Sequence, residues 1–194
     1  MSEEPGLLRQ SQERHYSAHN TFIHIALTEL ELAKPGMVGE FSHALVAITL
    51  SALAVEGLAN AIGDRVIPEW SDFESAAPFA KLRLLADHLG LPYTSTTEPW
   101  STLKWLCRLR NRLAHPKPEH VKQQKTVTQQ EHESRSFVPP QSKLESEITE
   151  QNARRAVKAV EAIKYALAEL VPMEQRFGLT SDGWTTSTGL SGVA

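Results

Sequence analysis

Apolar residues recur every three to four positions along most of the chain, the spacing that places them on one face of an α-helix. This pattern predicts five helices, and no stretch shows the alternation of apolar and polar residues that is typical of a strand. The predicted helices cover residues 12–34, 38–63, 75–89, 99–115 and 142–171. Because short links join the first four, we expect an all-α fold, an antiparallel helical bundle of about five helices.

The positions of proline and of large apolar residues predict where the bundle begins and ends. Pro116 stops the fourth predicted helix, because the residue before a proline is disfavoured in helical conformation. The region after it has Val121, Val127, Phe137 and Val138 as its only large apolar residues. The organisation predicted is therefore an N-terminal tail at 1–11, a bundle at 12–172 with a polar excursion at 117–141, and a flexible C-terminal tail at 173–194.

The second predicted helix is the most apolar and is expected to be the most buried. Ser51, Glu56 and Asn60 interrupt its apolar run, which we interpret as too polar for a membrane span. The first 15 residues carry acidic residues where a signal peptide needs basic ones, and no apolar segment follows them. We therefore expect a cytoplasmic protein that does not contact a membrane.

The cysteine and histidine residues of the sequence limit which disulfides and metal sites the protein can form. Of the 194 residues only Cys107 is a cysteine, which excludes an internal disulfide and a cysteine-based zinc site. His15 and His19 have the spacing of metal ligands on a helix, and His24 follows, but no acidic residue or cysteine completes a set. We interpret these three as exposed helix histidines and expect no metal and no cofactor. The sequence also has no glycine-rich phosphate loop and no Gly-X-Ser-X-Gly elbow.

Positive charge is concentrated in one segment. Residues 104–125 contain seven lysines and arginines and one acidic residue, Glu119, so this segment carries +6 in a chain of net charge −3. A local basic region in an otherwise acidic protein is typical of a surface that attracts a polyanion.

The end of the fourth predicted helix lies within this basic segment and carries groups suited to chemistry on a phosphodiester. Asn111 and His115 are four residues apart and share a helix face, and Arg110 lies about 100° of rotation from Asn111. Arginine holds a phosphate through two parallel hydrogen bonds, and histidine transfers a proton near neutral pH.

Three segments carry a resemblance to a known family. Arg110-Asn-Arg-Leu-Ala-His115 resembles the Arg-X4–6-His motif of the HEPN (higher eukaryotes and prokaryotes nucleotide-binding) superfamily. Residues 54–60 resemble a helix of that family with a polar Glu and Asn on an apolar background, and residues 79–85 resemble the helix before the motif helix. The resemblance covers about residues 21–117, and the last predicted helix would close the bundle.

The resemblance implies a HEPN-like bundle that forms a homodimer. Active members of the family are metal-independent endoribonucleases, often in toxin–antitoxin or antiviral defence systems, and use the RNA 2′-OH as nucleophile to leave a cyclic phosphate. By resemblance, His115 would be the general acid or base, Arg110 would bind the scissile phosphate, and Asn111 would orient His115 or the phosphate. The further candidates for RNA binding are Arg108, Arg112 and Lys117.

Glu56 stands out because an ionised carboxylate in an apolar helix is costly unless it is paired. One interpretation is that it meets Arg110 or Lys81 and supports the site from behind. The other is a purely structural ion pair or a position at the bundle edge.

Two other functions remain open. The same fold could be a catalytically silent module that binds RNA, a nucleotide or a partner protein such as an antitoxin or regulator. It could also be a dimerising structural bundle with no ligand. Loss of RNA cleavage on substitution of His115, and salt-sensitive RNA binding, distinguish the three.

Overall fold

The computed structural model describes residues 8–134 and 139–190, which form a mostly helical fold with one small sheet. This confirms the predicted helical character. The helices are α1 (Ala18–Leu32), α2 (Glu40–Val66), α3 (Pro78–Leu89), α4 (Trp100–Ala114), α5 (Gln129–Glu133) and α6 (Glu150–Leu170), and the strands are β1 (Leu8–His15) and β2 (Gly183–Leu190). Single 3-10 turns lie at Trp70–Phe73, Glu145–Glu147 and Met173–Gln175.

Helix α2 is the centre of the fold, because α1, α3, α4 and α6 all pack against it. Much of its buried surface is alanine, including Ala44, Ala47 and Ala54, and small side chains let neighbouring helices approach closely. Among the described helices α2 alone is long and apolar enough to cross a membrane, by length and composition only, so its polar residues do not by themselves exclude a span. Half of that apolar stretch is buried inside the fold.

The two ends of the described chain pair as an antiparallel sheet, from Leu8 opposite Leu190 to His15 opposite Gly183. The expectation of no strand was therefore wrong, and the first predicted helix begins only at Ala18. The pairing joins segments more than 160 residues apart, and both strands are rich in polar residues, so neither shows a local pattern of apolar alternation. Residues 1–7 and 191–194 of the expected tails lie outside the described residues.

The region between α4 and α6 also differs from the prediction. The fifth predicted helix was to begin near Ser142, but α6 begins at Glu150, where the Thr149 hydroxyl accepts a hydrogen bond from the Asn152 N–H. A threonine N-cap satisfies a free N–H group and fixes a helix start. The excursion contains only the short α5 and is exposed where it is described, while Phe137 and Val138 lie outside the described residues.

Several apolar residues predicted to face inward are exposed: Tyr16, Leu27, Phe41 and Leu170. Tyr16 precedes α1 rather than lying on it. Cys107 is partly buried. The apolar face of a helix can extend past the segments that cover it, so helical periodicity alone overestimates how many apolar residues are buried.

The interpretation of three exposed helix histidines is wrong for two of them. His19 is completely buried, and His15 lies in β1. His24 is exposed on α1, as expected. The burial of His19 depends on a segment some 160 residues away in the sequence, Leu179, whose carbonyl oxygen lies 2.7 Å from His19 Nε2.

A close contact at Gly63 holds the turn after α2 in place. The indole ring of Trp70 lies so near that a Cβ at residue 63 would come within 2.2 Å of it. A Cβ at Gly57, also on α2, would meet its nearest neighbours at an ordinary 3.4 Å. Only glycine therefore fits at position 63 without movement of the tryptophan.

We expect Gly63→Ala to lower the free energy of unfolding by about 1–3 kcal/mol, because the added methyl group forces Trp70 to move. Gly57→Ala is the matched control and should be neutral or stabilising by up to about 1 kcal/mol, because alanine favours helix. Chemical denaturation of both variants measures the difference. Equal stability of the two would contradict the packing of Trp70 on Gly63.

Candidate functional site

Helix α4 ends by presenting its last polar residues to solvent. Its buried face consists of Trp100, Thr102, Leu103, Leu106 and Leu109. Asn111 and His115 are exposed one turn apart, and the His115 N–H donates to the Asn111 carbonyl at 3.0 Å. His115 lies outside the helical region, with φ −131° and ψ 60°. The following Pro116 disfavours helical geometry at this residue.

Arg110 turns towards α2 rather than towards solvent. Its guanidinium donates to the Glu56 carboxylate at 3.0 Å and to the Asn111 side-chain oxygen at 3.2 Å. A guanidinium has five N–H donors, so these two contacts leave donors for a further acceptor. The Arg110 side chain is 35% exposed, so an anion can reach it from outside.

Lys81 lies behind this pair and is almost completely buried. Its ammonium group donates to the Asn60 side-chain oxygen at 3.0 Å and lies 3.8 Å from the Glu56 carboxylate. In one of the two interpretations of the sequence Glu56 meets Arg110 or Lys81, and the structure brings both cations to it. Asn60 was not predicted as a site residue, although its position four residues after Glu56 places it on the same face of α2.

The resulting cluster contains one carboxylate between two cations. Its net charge is +1, because Glu56 neutralises only one of Lys81 and Arg110. The excess positive charge lies on the exposed member, Arg110, beside the exposed Asn111. This arrangement suits the binding of an anion at the end of α4.

Arg112 makes a second ion pair between α4 and another segment. Its guanidinium donates to both oxygens of Glu147, at 2.8 and 2.5 Å, and the Trp105 indole N–H donates to the same carboxylate at 2.8 Å. These hydrogen bonds, led by those from Arg112, lower the pKa of Glu147, and the carboxylate raises the pKa of Arg112. Arg112 therefore fastens α4 to the segment before α6, and an RNA contact would have to compete with Glu147.

An open cleft of about 390 Å³ lies next to His115. One wall is the end of α4 and the residues after it, including Lys117, and Leu144 contributes the opposite wall. The Glu119 carboxylate accepts a hydrogen bond from the Lys143 N–H at 2.9 Å and so ties the two walls together. Arg108 is exposed on α4 but does not line this cleft.

Cys107 lies on α4, the helix that carries the candidate site. Burial raises the pKa of the Cys107 thiol to about 12, so it stays protonated at neutral pH and is not a nucleophile. In residues 8–134 and 139–190, no three His, Cys, Asp or Glu side chains are placed to hold a metal ion.

Comparisons with known protein-family models, with curated proteins and with solved structures gave no match for this chain. Its function is therefore inferred from the residues and the geometry of the site.

We expect Glu147→Gln to lower the free energy of unfolding at pH 7 by about 1 kcal/mol, because it removes a charged partner of a pair that solvent partly screens. The folded protein lowers the pKa of Glu147, so the carboxylate stabilises the fold above its ordinary pKa of 4.5. This contribution is lost as the pH falls below 4.5.

Denaturation of wild type and Glu147→Gln between pH 3 and pH 7 should therefore show two stability curves that converge at the acidic end. Glu150→Gln is the control, because Glu150 pairs with Arg154 four residues later in the same helix, where a few tenths of a kcal/mol are expected. A constant gap down to pH 3 would contradict the assignment.

Proposed function

We propose that the protein is a metal-independent endoribonuclease of the HEPN type that works as a homodimer in the cytoplasm, as a toxin or defence effector. The observation that carries the proposal is the arrangement at the end of α4. There Arg110, held by Glu56, lies beside the exposed Asn111, one turn before the exposed His115.

The proposed reaction breaks the phosphodiester by internal attack. The RNA 2′-oxygen loses its proton and bonds to phosphorus, while the bond to the 5′-oxygen breaks and that oxygen takes up a proton. The products are a 2′,3′-cyclic phosphate and a 5′-hydroxyl. Arg110 would stabilise the negative charge that develops on the phosphate, and His115 would move one of the two protons. Asn111 would orient His115 or the phosphate.

A homodimer would supply the second proton-transferring group that one chain lacks. The reaction needs both a base and an acid, and the described site contains one histidine, so a facing copy would contribute the second. Helix α2 supports such a pairing. Val46 is exposed on it, and Leu53 is half-buried two turns later, one turn before Glu56, the partner of Arg110.

Basic residues on the outer side of α4 support the binding of a polyanion. Lys104 and Arg108 are four residues apart on the same helix, and the exposed Lys117 follows His115. Lysines and arginines that contact phosphates make binding weaken as the salt concentration rises.

A second candidate is a silent module that binds RNA, a nucleotide or a partner such as an antitoxin. One observation favours it: among the described residues, the His115 imidazole has no hydrogen-bond partner to fix its orientation. A catalytic histidine is usually oriented by a second group. RNA binding without turnover would support this alternative.

We expect the purified protein to cleave single-stranded RNA in EDTA and to leave cyclic-phosphate ends. His115→Ala should reduce the rate by about 10²–10⁴-fold, the usual contribution of a general acid or base. Arg110→Ala should also abolish cleavage. His120→Ala is the control, since His120 is an exposed histidine in the excursion. Equal cleavage by wild type and His115→Ala would rule out the proposed mechanism.

We expect Leu53→Asp to convert the dimer into a folded monomer and to abolish cleavage, because a carboxylate would be buried in the proposed interface. Light scattering measures the mass, and circular dichroism checks the fold. Ile25→Asp, at an exposed apolar position on α1, should remain dimeric. A wild-type monomer that cleaves RNA at full rate would contradict the requirement for a second copy.

A further inference from the structure

The segment 178–182, which we call the clasp, is bound by side chains in an unusual way. Three of its consecutive backbone carbonyls each accept a hydrogen bond from a different side chain. The contacts are Asn20 Nδ2 to Gly178 at 3.1 Å, His19 Nε2 to Leu179 at 2.7 Å and Lys164 Nζ to Thr180 at 3.0 Å. The Leu179 side chain is completely buried. The clasp thus fastens the chain after α6 onto α1 and α6.

The end of the clasp completes α1. The side chain of the N-cap residue Ser17 makes no capping bond, and the Asp182 carboxylate lies 3.5 Å from the Ser17 N–H. Asp182 also accepts a hydrogen bond from Arg14 at 2.6 Å, which lowers the pKa of this carboxyl. A carboxylate is favourable at the positive end of a helix. Strand β2 begins at the next residue, so the clasp also sets the position of the sheet.

His19 is the one group among these contacts whose ordinary pKa, 6.5, lies near neutral pH. Its Nε2–H donates to the Leu179 carbonyl, so the neutral ring carries no proton on Nδ1, and Nδ1 is buried without a partner in the described residues. A second proton would create a buried N–H with no acceptor there. Such a group costs about 1–3 kcal/mol or more when charged.

The surroundings also oppose a positive charge on His19. Lys164 faces it from α6 and Arg65 from α2, and the positive end of α1 is its own first turn. Asp182 is the acidic group that faces it, and Arg14 already pairs with Asp182. Burial has the largest effect and lowers the pKa of His19. The hydrogen bond to the Leu179 carbonyl comes next and raises the pKa, and the two cations lower it further.

We propose that the clasp is an acid-sensitive device: it holds residues 178–182 against α1 and α6, and with them the start of β2, while His19 is neutral, and it opens when His19 is protonated. In the open state the imidazole is hydrated and titrates near its ordinary value of 6.5. In the closed state the pKa is lower, so acid favours the open state. The closed state is therefore most populated above pH 6.5 and is lost as the pH falls below it.

Hydrogen–deuterium exchange tests this in the full-length protein. After correction for the intrinsic pH dependence of exchange, opening of residues 178–188 should increase up to about tenfold between pH 7.5 and pH 5.5. In His19→Gln the increase should disappear, because glutamine can still donate to the Leu179 carbonyl but cannot be protonated. His24→Gln, on the exposed side of α1, should behave as wild type.

Equal pH dependence in wild type and His19→Gln would overturn the proposal. If His19→Gln does not fold, the wild-type imidazole resonances decide. His19 should titrate below its ordinary value of 6.5, together with the exchange at residues 178–188. A His19 ring that titrates at 6.5 or above while exchange stays constant would equally overturn it. Neither readout depends on RNA, so the clasp and the proposed function can fail independently.

Discussion

The pairing of one carboxylate on the central helix organises the candidate site. Helix α2 packs against four other helices, and Glu56 lies on it in a partly buried position where an unpaired charge would be strongly unfavourable. Two cations from different helices meet it, Lys81 from α3 and Arg110 from α4. The same contacts that satisfy Glu56 therefore fix the position of α4 and the direction of Arg110.

Because of this packing, Arg110 and Arg112 of α4 bind different partners. Arg110 points towards α2 and pairs with Glu56, whereas both terminal nitrogens of Arg112 donate to Glu147 on the segment before α6. Both ion pairs restrain the last turn of α4. Asn111, between the two arginines, and His115, after them, stay exposed. A rigid helix end with exposed polar groups is a suitable platform for a reactive site, because the restrained backbone limits their positions.

A second region of the fold depends on contacts between distant segments. The clasp covers His19, supplies a carboxylate to the start of α1 and leads into β2. Neighbouring cations make this region sensitive to any added positive charge. The candidate site and the clasp use different buried groups, Lys81 in the first and His19 in the second.

Sequence alone determined the five long helices, because their 3.6-residue periodicity and their proline and glycine stops are local properties. It also identified the basic segment, the exposed Asn111 and His115, and the need of Glu56 for a cationic partner. It could not choose between Arg110 and Lys81, and it did not reveal that Asn60 joins them, because these contacts link different helices. The resemblance to HEPN proteins remains a prediction.

Only the tertiary structure decided the rest. The strands pair across more than 160 residues and carry no local signal. Glu147, which binds Arg112, lies in the segment before α6, and this helix starts later than the periodicity indicated. His19 looked like an exposed helix residue because its own helix leaves it uncovered, and the clasp that buries it is distant in sequence. Periodicity reports what a residue does within its own helix, whereas burial and pairing depend on which other segments pack against it.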